Sequence, residues 1–361
     1  MMMSEKCKQH VDSCRFCWMC HHICPVGNAT GQERNTARAR ALGISLVNRG
    51  AIDLCEIVDN VYECATCGAC VHDCTTGWDP VMFTKETRLQ ATLEGKLPAY
   101  IEKLVDGCLD AGNAYGKTEI CADLAAAIAG HSEKTDTLLY LGADAVSMMP
   151  EQAQKAIRVL EKANISFTVL AKEPASGAQL DFLIGAAEET KQQMRTCAEA
   201  FADYKTVVLY DPADAKAMMQ TAREYGVEAK TQMTTYTAYL AELVKAGKLT
   251  VAPTGKEVAF QDPYQLSRDL GETEAAREVI ASCATLKEMH LNREETVWAG
   301  NILMAQYVPN VIVKVAQRRI FNAKTLNIPA IVTASVSEYA SLKAAAEDVE
   351  ILSLEDLILG E

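Results

Sequence analysis

Eight of the 14 cysteines fall in two runs with one spacing. CRFCWMCHHICP supplies Cys14, Cys17, Cys20 and Cys24, followed by Pro25. CATCGACVHDCT supplies Cys64, Cys67, Cys70 and Cys74. Both read C-x2-C-x2-C-x3-C, the spacing that holds [4Fe-4S] clusters. A cubane offers four iron corners a few ångströms apart. Three cysteines two residues apart can wrap one face of it in a tight loop, with backbone N–H groups aimed at sulfur. The fourth cysteine, three residues on, leaves along the next segment and reaches the other cluster. The expected ligands are Cys14, Cys17, Cys20 and Cys74 for cluster 1, and Cys64, Cys67, Cys70 and Cys24 for cluster 2.

Structural zinc is the alternative, but zinc takes four ligands, usually in C-x2-C pairs, and fits two runs of four poorly. Thr75 stands where a proline often follows such a run, which loosens the turn and removes no ligand. His21, His22 and His72 lie inside the runs. With eight thiols present no histidine ligand is required, so partly exposed histidines beside a cluster are expected. Trp18 and Trp78 either shield a cluster from water or simply pack.

Cys24 and Cys64 lie 40 positions apart, so other elements must bring the runs together. The insert reads as helical. Residues 35–48 are rich in helix formers and end near Gly50. Residues 51–63 place Ile52, Cys55, Val58 and Tyr62 at three- and four-residue steps, which puts Cys55 on the apolar face as a core residue. A further helix is expected after Pro80. In 100–112, Ile101, Leu104, Cys108 and Leu109 form an apolar stripe, and Cys121 joins Leu124 and Ile128 in the next one. Cys7 sits in a polar N-terminal tail and reads as exposed.

Two cluster loops set among helices resemble the alpha-helical ferredoxin of the iron–sulfur subunits of glycerol-3-phosphate dehydrogenase, glycolate oxidase and heterodisulfide reductase. The resemblance covers about residues 10 to 95. The expected organisation is an α+β multidomain chain. Residues 1–95 form the ferredoxin part, 96–134 a helical bridge ending at the polar HSEKTD, and 135–361 an α/β part in two halves, about 135–250 and 255–361. In that last part TLLYLGA, ISFTVLA, TVVLYDP, EVAFQDP and IPAIVTAS read as buried strands of a mostly parallel sheet.

The same families carry a cysteine-rich domain with two CCG-type motifs, whose frame is similar here. Where they have Gly-Cys, this chain has Gly142 and Ala143. Where Cys-Cys-Gly follows, it has Ala175, Ser176 and Gly177, and for Cys-Pro-x-Cys it has DPADA from Asp211. In the second half, QDPYQLSRDLG matches a His-Asp-Pro-Cys-His-Leu stretch at Asp262 and Pro263, with Tyr264 in place of the cysteine. Trp298, Ala299 and Gly300 stand for the second Cys-Cys-Gly, and Thr333, Ala334, Ser335 and Val336 for Thr-Ala-Cys-Pro. The resemblance implies a domain that has kept its fold and lost its metal, since only thiolate offers the soft ligand needed. The cysteines left there, Cys197 and Cys283, lie on helical stripes and read as core.

Composition narrows the function. A net charge of −13 argues against nucleic acid and anionic membrane surfaces as partners. No apolar run reaches the length of a membrane helix, and the polar start lacks a signal-peptide core, so a cytoplasmic protein is expected. No glycine-rich phosphate loop, nucleophile elbow or HExxH run occurs. No flavin or nicotinamide site and no catalytic residue is therefore assigned. Small basic clusters, Arg38 with Arg40 and Arg318 with Arg319, read as solvated helix faces. The expectation is an electron-transfer subunit with two [4Fe-4S] clusters that works with a flavin-containing oxidoreductase subunit in a hetero-oligomer. The alternatives are a thiol/disulfide reductase of heterodisulfide-reductase type and a redox-sensing iron–sulfur protein.

Overall fold

The computed structural model describes residues 3–14 and 17–361. Up to residue 129 the described chain is helical. It runs through α1 (Glu5–Asp12), α2 (Met19–Ile23), α3 (Pro25–Thr30), α4 (Ala37–Asn48), α5 (Val58–Tyr62), α6 (Ala69–His72), α7 (Pro80–Leu93), α8 (Ala99–Ala111) and α9 (Ala122–Ala129). Local chemistry sets the starts. The Thr36 hydroxyl accepts the Ala39 N–H at 3.3 Å and opens α4. The Asp79 carboxylate accepts the Met82 N–H at 2.9 Å and opens α7, with Pro80 at its first position. Each such cap contributes about 1 kcal/mol. Helix α7 is the pillar of this part: it packs against α1, α4, α5 and α6.

Three cysteine expectations are corrected here. Cys55 is exposed, not core. Asp53 and Glu56 form a reciprocal capping box that closes a separate 3-10 turn at Leu54–Glu56, so the apolar stripe breaks before α5 begins. Cys121 is exposed as well, because it is the N-cap of α9 and precedes the face carrying buried Leu124 and Ile128. Cys7 is buried, because the tail folds into α1 and packs its Cys7–Val11 face with Met3 against Ala41, Ile44 and Phe83. Cys108 is buried, but Leu109, one position round the helix, is exposed.

From residue 137 the chain alternates strands and helices. The first stretch holds β1 (Thr137–Tyr140), α10 (Ala143–Met148), α11 (Pro150–Lys162), α12 (Ala178–Ile184), α13 (Glu188–Phe201), β2 (Thr206–Leu209) and α14 (Pro212–Lys216). A π turn at 217–221 joins α14 to α15 (Ala222–Glu224), and β3 (Gln232–Thr235) and α16 (Tyr236–Lys245) follow. The second holds β4 (Glu257–Gln261), a π turn at 265–269, α17 (Ala275–Ala281), β5 (Thr285–Leu286), α18 (Ile302–Ala305) and α19 (Pro309–Thr325). It closes with β6 (Ala330–Thr333), α20 (Val336–Ala345), β7 (Glu350–Ser353) and α21 (Leu354–Leu359).

The strands form two parallel sheets, ordered β1-β2-β3 and β5-β4-β6-β7. Alternation along each strand splits the core. Leu139 and Val208 of the first sheet share one apolar cluster with Val258, Phe260, Val332 and Leu352 of the second. Their neighbours Leu138, Tyr140, Val207 and Leu209 face Met194, Cys197 and Phe201 on the outer side. Ala259, Ile331 and Ile351 face Ala316, Ile320 and Leu342. Burial on both faces explains the continuous apolar runs that mark these strands. Each fully buried Val, Leu or Ile contributes about 1.5–3 kcal/mol.

The expected strand at 165–171 is reduced to a single bridge. Thr168 pairs with Leu138, and then Val169 donates to His131 O at 2.9 Å and the segment leaves the sheet edge. Two arginines are also corrected. Arg40 and Arg319 are buried, whereas Arg318 is exposed. Among the described residues no helix is long and apolar enough to cross a membrane.

Candidate metal centre

The two cysteine runs fold to one local design. After the second cysteine comes a residue in the left-handed region, Trp18 (φ 68°) in one run and Gly68 (φ 73°) in the other. A short helix follows, α2 or α6, with the third cysteine, Cys20 or Cys70, at its second position. Glycine adopts this backbone freely, whereas a tryptophan there is strained by about 1–2 kcal/mol. Such strain held against its cost marks a functional position. Helices α2 and α6 pack on each other, which brings the two runs together despite their separation in sequence.

Cys14, Cys17, Cys20, Cys70 and Cys74 line one cavity, together with Trp18, Met19, Arg38, Thr76 and Trp78. The fourth cysteine of the second run thus faces the first three of the other. Trp78 is buried and donates its indole N–H to His10 O at 2.7 Å. Trp18 is 45% exposed and Met19 46%. The Arg38 guanidinium lies 3.7 Å from the Trp18 ring centre. Cys17 is exposed, so this cavity lies at the protein surface.

Cys24, Cys64, Cys67 and Cys70 form a second, deeper group. Burial raises Cys70 well above the ordinary thiol range, and charge on Cys64, Cys67 and Cys24 adds to it. Burial pushes Cys67 up to about 11, with Arg268 opposing and Cys24 and Cys64 adding to the rise. Burial also acts upward on Cys64, but Arg40, Arg88 and the Thr66 N–H outweigh it and hold this thiol below its ordinary range. The Gly27 N–H donates to Cys24 Sγ and the Thr66 N–H to Cys64 Sγ, each at 3.4 Å. Hydrogen bonds of this kind tune a cluster's potential.

Arg40 and Arg88 were not legible as site residues. Arg88 is fully buried and donates to the carbonyls of Phe182 (2.6 Å), Val61 (3.0 Å) and Cys64 (2.6 Å). Arg40 donates to Asn60 O at 3.1 Å and Asn35 O at 3.0 Å. Burial opposes its charge, and Cys64, Cys24, Cys70 and Glu63 sustain it. A buried cation bound mainly to carbonyls needs a counter-charge. Here Cys64, whose thiol is held below its ordinary range, and Glu63 take that role, and an anionic cluster would complete it.

Among the described residues no group of three or more His, Cys, Asp or Glu closes around a single metal ion. A cubane makes a different demand, since each thiolate binds its own iron at a separate corner. The donor set and the buried arginines fit such a cage. The surface cavity measures about 20 Å³.

The α/β part lies directly on the deeper group. Arg268 donates to Cys67 O at 2.8 Å, Tyr307 to Tyr62 O at 2.9 Å, and Tyr62 to Leu183 O at 2.8 Å. Tyr264, Trp298, Leu303 and Ile312 share an apolar cluster with Cys67, Ala65 and Ile23. Of the positions matched to the cysteine-rich domain, Ala143, Asp211, Ala213, Tyr264 and Ser335 line one cavity, while Trp298 is buried and fills its own place. Cys197 and Cys283 are buried. His22 and His72 are exposed, and His21 pairs with Glu33 at 3.1 Å.

No family model matches the chain. A probable membrane-anchored ferredoxin of Chromohalobacter salexigens is 26% identical over 71% of this chain, which spans 39% of that protein's length. One of the subunits of the dihydromethanophenazine:CoB–CoM heterodisulfide reductase of Methanosarcina acetivorans is 24% identical over 97% of this chain and 94% of its own. The Methanosarcina mazei counterpart is 23% identical over 87% and 83%. The similarity supports an iron–sulfur electron-transfer subunit. The heterodisulfide reductase relatives further suggest a multi-subunit complex.

Proposed function

We propose that this chain is the dicluster electron-transfer subunit of an oxidoreductase complex. Cys14, Cys17, Cys20 and Cys74 hold one [4Fe-4S] cluster, and Cys64, Cys67, Cys70 and Cys24 hold the other. The observation that supports the reading is one of proximity: Cys74 lines the cavity of Cys14, Cys17 and Cys20, and Cys24 lies close enough to Cys64, Cys67 and Cys70 for their charges to act on one another. When bound, each cluster supplies a one-electron relay.

The chain's residues divide the work. Trp78, Phe83 and Ile44 pack around the surface group and exclude water on its inner side. Trp18 and Met19 leave its outer side approachable. Arg40 and Arg88 bring positive charge to the deeper group. Electrons would enter or leave at the surface group and pass to the deeper one beneath the α/β part. The partner is a flavin-containing subunit that acts on the organic substrate, and the α/β part, without its own metal, supplies docking surface.

The thiol/disulfide reductase reading is weaker, because Cys197 and Cys283 are buried and burial raises both thiols. A reactive thiol is exposed and lowered. Anaerobic purification of the native complex tests the proposal. Co-purification with a flavoprotein whose substrate reduces the clusters is expected. A lone chain whose clusters no flavoprotein reduces would refute it.

A further inference from the structure

The cavity where the α/β part meets Thr66 and Lys85 of the helical part measures about 70 Å³. It lies at the carboxyl ends of the parallel strands. Asp144 follows β1, Asp211 and Asp214 follow β2, Tyr264 follows β4, and Ser335 and Ser337 follow β6. Crevices at this end of parallel sheets are where open α/β folds bind ligands. Half-buried Lys85, Gln179, Lys216 and Asn301 stand at its rim.

Its charge is one-sided. Asp144, Asp211 and Asp214 form one wall, while the lysines opposite are already committed, Lys85 to Asp181 at 2.6 Å and Lys216 to Asp269 at 2.8 Å. Most carboxylate oxygens on the acidic wall have neutral donors. Asp144 Oδ1 accepts from Tyr115 (2.6 Å) and Gln179 (2.7 Å), and Oδ2 accepts from Ser337. Asp214 Oδ1 accepts from Ser176. Asp211 Oδ1 accepts the Ala213 N–H at 2.7 Å. Asp211 Oδ2 has no partner among the described residues, although Asp211 is 2% exposed and lines the cavity. A buried carboxylate oxygen without a donor is costly and calls for one. Gly142 permits the arrangement, because a Cβ there would collide with Asp214 Oδ2.

We propose that this cavity binds a small organic cation, a protonated amine of about four to six non-hydrogen atoms, with its ammonium group donating to Asp211 Oδ2 beside Asp214 and Asp144. The size follows from the volume, since a water needs about 10–15 Å³ on the same measure. A bare metal ion fits less well, because among the described residues no three carboxylates converge on one point. The apolar part of the amine would lie against Phe182, Tyr264 and Leu303. Burial and the charges of Asp214 and Asp144 raise the Asp211 carboxyl well above the usual range, so an ammonium bound there would displace its proton.

The test is titration calorimetry and thermal shift on the full chain with its clusters. Propylammonium chloride is the probe, with 1-propanol, potassium chloride and magnesium chloride as controls. Saturable binding and stabilisation by propylammonium alone are expected. Asp211→Asn should lose at least tenfold in affinity while its melting point without ligand rises, and Asp214→Asn provides a second variant if the first misfolds. No saturable response, an equal response to 1-propanol or magnesium, or undiminished binding by a folded Asp211→Asn or Asp214→Asn protein would overturn the proposal. Neither cluster takes part in this readout, so its failure leaves the electron-transfer reading standing.

Discussion

Arg40→Gln is the most revealing perturbation of the deeper centre. The guanidinium acts on Cys24, Cys64 and Cys70, three of the four proposed ligands of cluster 2. Taking a charge separation of about 7 Å and an effective dielectric of about 20, one unit charge is worth roughly 2 kcal/mol. For a one-electron couple that is on the order of 100 mV, at about 59 mV per factor of ten. Losing a positive charge makes reduction harder, so the potential of cluster 2 should fall by that order. Glutamine keeps an amide to donate to Asn35 O or Asn60 O, which limits collateral damage. Arg40→Lys keeps the charge and should restore most of the potential if it folds. The assay is a mediated redox titration read by EPR, following the two clusters separately. A shift well below that order, or equal shifts in both clusters, would refute the assignment of Arg40 to the deeper site.

Cys74→Ala should damage the cluster held by Cys14, Cys17 and Cys20 and spare the one beside its own run; EPR showing loss of the other cluster alone would contradict the exchange. Trp18→Ala should keep both clusters by iron content and slow reduction by the flavoprotein, because the exposed ring would be part of the docking surface beside the surface group. Trp298→Ala empties a fully buried site and should cost about 3–5 kcal/mol in denaturant unfolding; a loss under about 1 kcal/mol would show that the site is not packed as described. Glu338, buried with Gln261 and the Ala299 N–H as donors, has its carboxyl raised to about 8 by burial. Since its folded value lies above its unfolded one, its contribution to stability is full below about pH 4.5 and is lost as pH rises toward 8. Glu338→Gln should therefore flatten the decline in melting temperature between pH 5 and 8, and parallel curves for the two proteins would count against the buried carboxylate.

Legibility in the sequence followed the range of the physics involved. The cysteine runs stand out because the spacing a cubane would demand is a local feature of the sequence. Strands β1, β2, β4 and β6 were readable because burial on both faces makes their residues apolar throughout. Strand β3 is QMTT, β5 has two residues, and β7 has one apolar pair, so none carries a run to detect. Arg40 looked like a solvated helix residue, because nothing local marks a buried cation whose counter-charge comes from Cys64, 24 residues further on. Arg88 sits in an ordinary helix sequence and becomes a site residue only through carbonyls as distant as Phe182. Cys55 and Cys121 show the opposite failure: an apolar stripe was extended across a capping residue, and a cap ends the stripe.

In the proposed function, eight cysteines of this chain hold two four-iron clusters through exchanged ligands. Iron and sulfide analysis of the anaerobically purified full chain, combined with EPR of the reduced protein, tests it most directly. About eight irons per chain and a signal broadened by spin coupling between neighbouring clusters are expected. About four irons, stoichiometric zinc, or two magnetically isolated clusters would contradict it.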